Sequence, residues 1–222
     1  GDNVFSGYYD NPEATAEALQ DGWLHTGDAG YLEEDGQLVV LGRVSEVVYT
    51  AARVRFIPTY IENRLKFSQY IKDVCVIGSG RAHLAALVAI DMEACGHWAQ
   101  EHDVAYNSFS DLSQKPQIYD LIEGVVAHVN GVLPAGTQIT RFVNLHKEFD
   151  PDDGEITRTR KLRRGTIAEH YADIITAIYA GDPSIEFEAQ ITYETGETGV
   201  LKRTLAIRDV RGAQAHEGRQ AA

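Results

Sequence analysis

Six apolar residues, Ile118, Leu121, Ile122, Val125, Val126 and Val129, recur at the i, i+3, i+4, i+7 spacing of an α-helix. Such a stripe has to be buried, and the neighbouring sequence offers a sheet to bury it on. Val74-Cys75-Val76-Ile77 and Leu84 to Ile90 read as strands, joined through Gly78-Ser79-Gly80 as a reversal between paired strands. No helix follows that Gly-Ser-Gly, as a phosphate loop would require, so a turn is expected. Pro58 opens a helix with Ile61 and Leu65 on one face, a further strand is expected near 139–145, and a last helix over about 166–179. Helices facing a short sheet make an α+β fold, and 44% hydrophobic content in 222 residues suffices for its core.

Upstream, a short helix is expected from Pro12 to Gln20, followed by a β-hairpin in which Leu32 and Leu38-Val39-Val40-Leu41 flank Glu34-Asp35-Gly36. Gly42-Arg43 follows, then Val44-Ser45-Glu46 as a connector, so a domain is expected over 1–43 and a second over 44–180. Beyond it, Ile185, Phe187, Ala189, Ile191 and Tyr193 alternate with polar residues at a period of two. With Gly196 and Gly199 at the turn and 201–210 returning, this predicts a β-hairpin extension over 181–211, then a disordered tail over 212–222.

A formal net charge of -13 excludes broad attraction to nucleic acid or anionic lipid, so any phosphate binding must be local. The 2 cysteines, Cys75 and Cys95, lie in no disulfide or zinc pattern and are expected to be buried free thiols in the reducing cytoplasm. No apolar run approaches the roughly 20 residues of a membrane span, which leaves only peripheral membrane contact open. The start has neither the basic nor the apolar region of a secretory signal, and with no initiating Met the chain is expected to continue a longer one. Asp150-Pro151-Asp152-Asp153-Gly154 opens like a calcium loop, but Lys161 stands where the bidentate Glu is needed; no metal site is expected. His97-Trp98 and His170-Tyr171 read as core-edge pairs, and Glu62 as a residue favourable to a helix dipole.

Three features carry candidate chemistry. Arg158, Arg160, Lys161, Arg163 and Arg164 crowd one basic stretch behind the acidic turn; it is either a solvated face or a place for phosphate. Thr26-Gly27-Asp28 is either an Asx-turn or a carboxylate aimed at a diol. Arg43 offers a planar guanidinium to ribose or phosphate oxygens, or to a surface ion pair.

In order and spacing, Phe5-Ser6-Gly7-Tyr8-Tyr9, Gly22-Trp23-Leu24-His25-Thr26-Gly27-Asp28, Gly42-Arg43, Pro58 with Ile61-Glu62, and Thr159 to Arg164 resemble the adenylate-forming (AMP-binding) enzymes. That family includes acyl-CoA ligases, adenylation domains and luciferases. Ile61-Glu62-Asn63 and 157–162 look most like the long-chain fatty acyl-CoA ligase branch. The resemblance implies that 1–43 ends the β subdomain of a large adenylating domain and that 44–180 is the small lid domain. Asp28 and Arg43 would hold the ribose of ATP or AMP, Lys161 would be the adenylation lysine, and Ser45 would lie at the hinge. Arg53 occupies the position, lining the CoA passage, where the family usually has Gly.

ATP, Mg2+, CoA and a fatty acid are the implied substrates, and the implied partner is the large domain that precedes the chain. The expected activity is ATP-dependent fatty acid–CoA ligation by the intact protein, with these residues alone inactive. Two alternatives stand beside it. One is an adenylating enzyme that loads an acyl carrier protein; the other is a non-catalytic interaction module whose terminal hairpin docks a partner.

Overall fold

An asparagine and a proline start the first helix. In this computed structural model, which describes residues 1–192 and 198–212, the Asn11 side chain accepts a hydrogen bond from Ala14 N at 3.0 Å. Pro12 fills the first turn of α1 (Pro12–Ala18), where it loses no helical hydrogen bond. The helix stops two residues short of the expected Gln20 because β1 (Leu19–Gln20) already pairs with β2 (Trp23–Leu24). Asp21 and Gly22 turn between them with φ of 51° and 81°, as a tight hairpin requires.

The expected hairpin follows as β3 (Asp28–Leu32) and β4 (Leu38–Arg43), antiparallel. Only Gly36 takes a positive φ, 84°, in its turn; the Asp35 carboxylate accepts both Gln37 N (2.9 Å) and Gln37 Nε2 (2.8 Å). A 3-10 turn, Val44–Glu46, comes next, and the chain divides into two compact units between Val47 and Val48. None of residues 1–47 is buried; Trp23, Leu32 and Leu38 are 75%, 70% and 66% exposed. The amino-terminal unit has hydrogen-bonded local structure without a core.

The second unit begins with β5 (Val48–Tyr49) paired to β6 (Arg55–Phe56). α2 (Pro58–Leu65) buries Pro58, Ile61, Glu62 and Leu65, then β7 (Ile71–Ile77) and β8 (Leu84–Ile90) pair antiparallel across the Gly78 loop. α3 (Met92–Glu101), capped by Asp91, and α4 (Phe109–Ser113), capped by Ser108, lead to α5 (Pro116–Asn130), the helix of the apolar stripe. β9 (Ile139–Asn144) returns parallel to β8.

α6 (Arg164–His170) and α7 (Ala172–Ala180) follow, ended by left-handed Gly181 at φ 86°. The single helix expected over 166–179 is thus two: Tyr171 leaves helical geometry (φ -107°, ψ 24°) and buries its ring edge-on to Phe149.

β10 (Ser184–Thr192) and β11 (Thr198–Ala206) form the expected antiparallel extension, although Gly196 of its turn and the tail 213–222 lie outside the described residues. β12 (Arg208–Asp209) then joins β9, giving the sheet order β12-β9-β8-β7. Every residue of β8 is buried because both faces are covered. Leu84, Ala86, Val88 and Ile90 pack with α2 and α5, while Ala85, Leu87 and Ala89 pack with α6 and α7. The carboxy-terminal segment completes both layers: Leu205 and Ile207 enter the second, Val210 the first.

Candidate functional site

The basic stretch folds as a small hairpin finger. Ile156 bridges Leu162 antiparallel, Thr157 N donates to Lys161 O (2.8 Å), and Arg163 N donates to Glu155 O (2.8 Å). At the tip, Arg160 N donates to Thr157 O (2.8 Å) and Lys161 N to Thr157 Oγ1 (3.0 Å), with Arg160 left-handed at φ 59°. The acidic turn before it is less solvated than its composition suggests, for Glu155 is 1% exposed. Its carboxylate accepts Asp150 N (3.0 Å) and Lys147 Nζ (3.2 Å) and faces His170 Nδ1 at 3.3 Å. Burial would lower the Lys147 pKa, but the carboxylates of Asp153 and Glu155 outweigh it and raise the value. Burial, reinforced by the Lys147 charge, lowers the neighbouring His146 to about 4, so its ring is neutral near pH 7.

The five cations of the stretch have different fates. Arg164 makes a bidentate pair with Glu62, both contacts at 2.6 Å, and also reaches Thr59 Oγ1 at 3.4 Å. Glu62 is buried and in turn accepts Val76 N at 2.8 Å. Arg160 pairs with Asp73, a carboxylate 1% exposed that also holds Lys66 Nζ at 2.8 Å. Arg158, Lys161 and Arg163 are exposed and make no ion pair with a described residue.

Glu62 and Asp73 are the residues that reading the sequence missed. Glu62 falls on the stripe Pro58, Ile61, Glu62, Leu65, so a helix dipole does not account for it; it is the buried anchor of Arg164. An acid on an apolar stripe was the available signal.

In the amino-terminal unit, Asp28 and Arg43 are register partners at the open end of the β3–β4 hairpin. Arg43 NH1 lies 3.1 Å from Asp28 Oδ1 and donates to Thr26 O at 2.8 Å; Asp28 N donates to Thr26 Oγ1 at 3.2 Å. Gly27 holds the required bend at φ 73°, and both charged side chains remain 40% or more exposed. A carboxylate and a guanidinium fixed side by side can receive hydroxyl donors and oxygen acceptors together.

Ser45 is exposed in the 3-10 turn Val44–Glu46. Arg53, also exposed, sits left-handed (φ 61°) in the turn where Thr50 Oγ1 accepts Val54 N at 3.1 Å. Cys75 and Cys95 are buried free thiols, each pushed up to about 12 chiefly by burial. His97 lies 3.4 Å from Glu101, and Trp98 stacks on His102. Among the described residues no cluster of His, Cys, Asp and Glu could hold a metal ion, and no helix is long and apolar enough to cross a membrane.

Residues 46–183 match the family model for the AMP-binding enzyme C-terminal domain. A long-chain-fatty-acid–CoA ligase of Mycobacterium tuberculosis, FadD15, is 37% identical over 180 residues, covering 81% of this chain and 30% of the relative. A human long-chain-fatty-acid–CoA ligase, ACSBG1, is 30% identical over 198 residues, covering 81% and 27%. The chain thus spans about 30% of the length of such relatives.

Among solved structures, the adenylation domain of a carboxylate reductase from Mycobacterium chelonae superposes with TM-score 0.53 at 27% identity, covering 80% of this chain and 26% of that one. Apo MatB of Rhodopseudomonas palustris shares the fold with TM-score 0.52 at 22% identity, covering 78% and 30%.

Proposed function

The chain belongs to the AMP-binding enzyme family, and from that premise we propose that it is the lid, with the end of the large domain, of an ATP-dependent long-chain fatty acid–CoA ligase. The observation that carries this reading is Lys161: its ammonium is exposed and has no described counter-ion, on a finger whose backbone is hydrogen-bonded and whose Arg160 and Arg164 are held by ion pairs.

In the first half-reaction the fatty acid carboxylate oxygen attacks the α-phosphorus of ATP. An oxygen–phosphorus bond forms, the bond to the β-phosphate oxygen breaks, and pyrophosphate leaves with the electron pair. Lys161 lies against the carboxylate and α-phosphate oxygens and offsets the charge gathering there. Asp28 accepts from the ribose hydroxyls while Arg43 donates to ribose oxygens. Mg2+ accompanies ATP as part of the substrate. In the second half-reaction the CoA sulfur attacks the acyl carbon, AMP departs, and the thiol proton goes to solvent. Ser45, in the short turn two residues before the division between the two units, is the proposed hinge.

The proposed partner is a large domain that supplies the phosphate-binding elements, and the coreless amino-terminal unit accords with its being one edge of such a domain. Two buried free thiols accord with a reducing, cytoplasmic setting. Arg53, exposed and standing where the resemblance implies a Gly along the CoA passage, keeps a second reading open, in which the acyl group is handed to a carrier protein.

The decisive experiment uses the intact enzyme. Fatty-acid-dependent exchange of pyrophosphate into ATP is expected, and Lys161→Ala should slow it about 100- to 1,000-fold. Exchange unaffected by Lys161→Ala would refute the assignment. Added CoA then yields acyl-CoA if CoA is the acceptor, and none if it is a carrier protein.

A further inference from the structure

Two consecutive cations on the finger diverge. Arg160, in a left-handed conformation, pairs inward with Asp73, while Lys161 stands exposed. Three residues after Lys161, Arg164 opens α6 and is held by both oxygens of Glu62. The two carboxylates are themselves immobilised. Asp73 lies in β7 and takes Lys66 as a second partner; Glu62 lies in α2 and is fixed by Val76 N of β7. The five-residue stretch carrying Lys161, Arg160 to Arg164, is therefore pinned at both ends to the α2–β7 platform, by carboxylates 87 and 102 residues away in sequence.

We infer that Asp73 and Glu62 are positioning residues for Lys161, an inference that rests on the function proposed above. Their pairing fixes the finger and also neutralises Arg160 and Arg164. An attacking carboxylate then meets the Lys161 ammonium at a defined place, and Arg160 and Arg164 do not compete for it. A charge preorganised this way needs no rearrangement as the transition state forms, and a displacement of about 1 Å can slow a reaction about 100-fold.

Removing a buried carboxylate risks the fold, so the main test is made from the exposed side. In Arg160→Gln, Asp73 keeps Lys66 and the hydrophobic core is untouched. In the intact enzyme this variant should slow pyrophosphate exchange roughly 10- to 100-fold, while thioester formation from supplied acyl-adenylate stays near the parent rate. Arg160→Lys, which keeps a cation for Asp73, should recover most of the loss. Glu62→Gln and Asp73→Asn should show the same selectivity for the first half-reaction.

A merely structural role would lower both half-reactions together, in step with the folded fraction, and that result overturns the inference. Exchange at the parent rate in Arg160→Gln overturns it too. Lys161→Ala separates the two levels: if that variant loses exchange and Arg160→Gln does not, the positioning role falls while the proposed function stands.

Discussion

Arg53 holds a backbone conformation, φ 61°, that crowds any side chain with a β-carbon. Arg53→Gly should therefore stabilise the unit by about 1 kcal/mol, read as a higher midpoint in urea unfolding, with Arg53→Ala giving no such gain. His146 should contribute to the acid sensitivity of the same unit. Its folded value of about 4 lies below the ordinary 6.5, so between those values the unfolded chain takes up a proton that the folded one does not. The His146 contribution is full above pH 6.5 and is lost as pH falls towards 4; His146→Gln should make denaturation midpoints fall less across that window. The candidate residues themselves were legible because they stand in local motifs, Thr26-Gly27-Asp28, Gly42-Arg43 and the basic stretch. Glu62 and Asp73 were not, because a buried acid makes sense only beside its arginine, and those partners lie 102 and 87 residues away.

Helix α5 was readable from periodicity, since its stripe of Ile118, Ile122, Val126 and Val129 is the face the sheet buries. The break between α6 and α7 left no such trace. Ile167, Ile174, Ile175 and Ile178 keep helical spacing through it, and the interruption shows in the Tyr171 backbone angles and its buried ring. α3 was missed because Gly, Cys and His dilute any apolar stripe along it. α5 also carries a polar fastener that hydropathy conceals. The Tyr119 hydroxyl donates to Ala206 O at 2.6 Å and accepts Asn144 N at 3.1 Å, tying α5, β9 and the end of β11 together. Tyr119→Phe leaves both backbone groups without that partner in a buried place. It should cost about 1–3 kcal/mol in thermal or urea unfolding, with little change in helix content.

For the molecule as a whole, the family match ends at residue 183, yet the folded unit does not. Leu205, Ile207 and Val210 are buried, and Arg141, itself 7% exposed, donates from Nε to Asp209 at 2.7 Å and from NH2 to Asp182 O at 2.7 Å. A chain ended after residue 183 would open both cores at sites where each lost side chain is worth about 2–5 kcal/mol, against a total stability of about 5–15 kcal/mol. Such a truncation should lose its cooperative melting transition in circular dichroism. The period-two pattern revealed the ribbon from the sequence. It did not reveal the return onto β9, since two residues of strand, Arg208–Asp209, are too short to carry a period. Because β12 seals the sheet from the far end of the chain, a ribosome paused ahead of Leu205 would present nascent protein with both hydrophobic layers gaping. Chaperone occupancy during synthesis should therefore persist until that closing strand emerges.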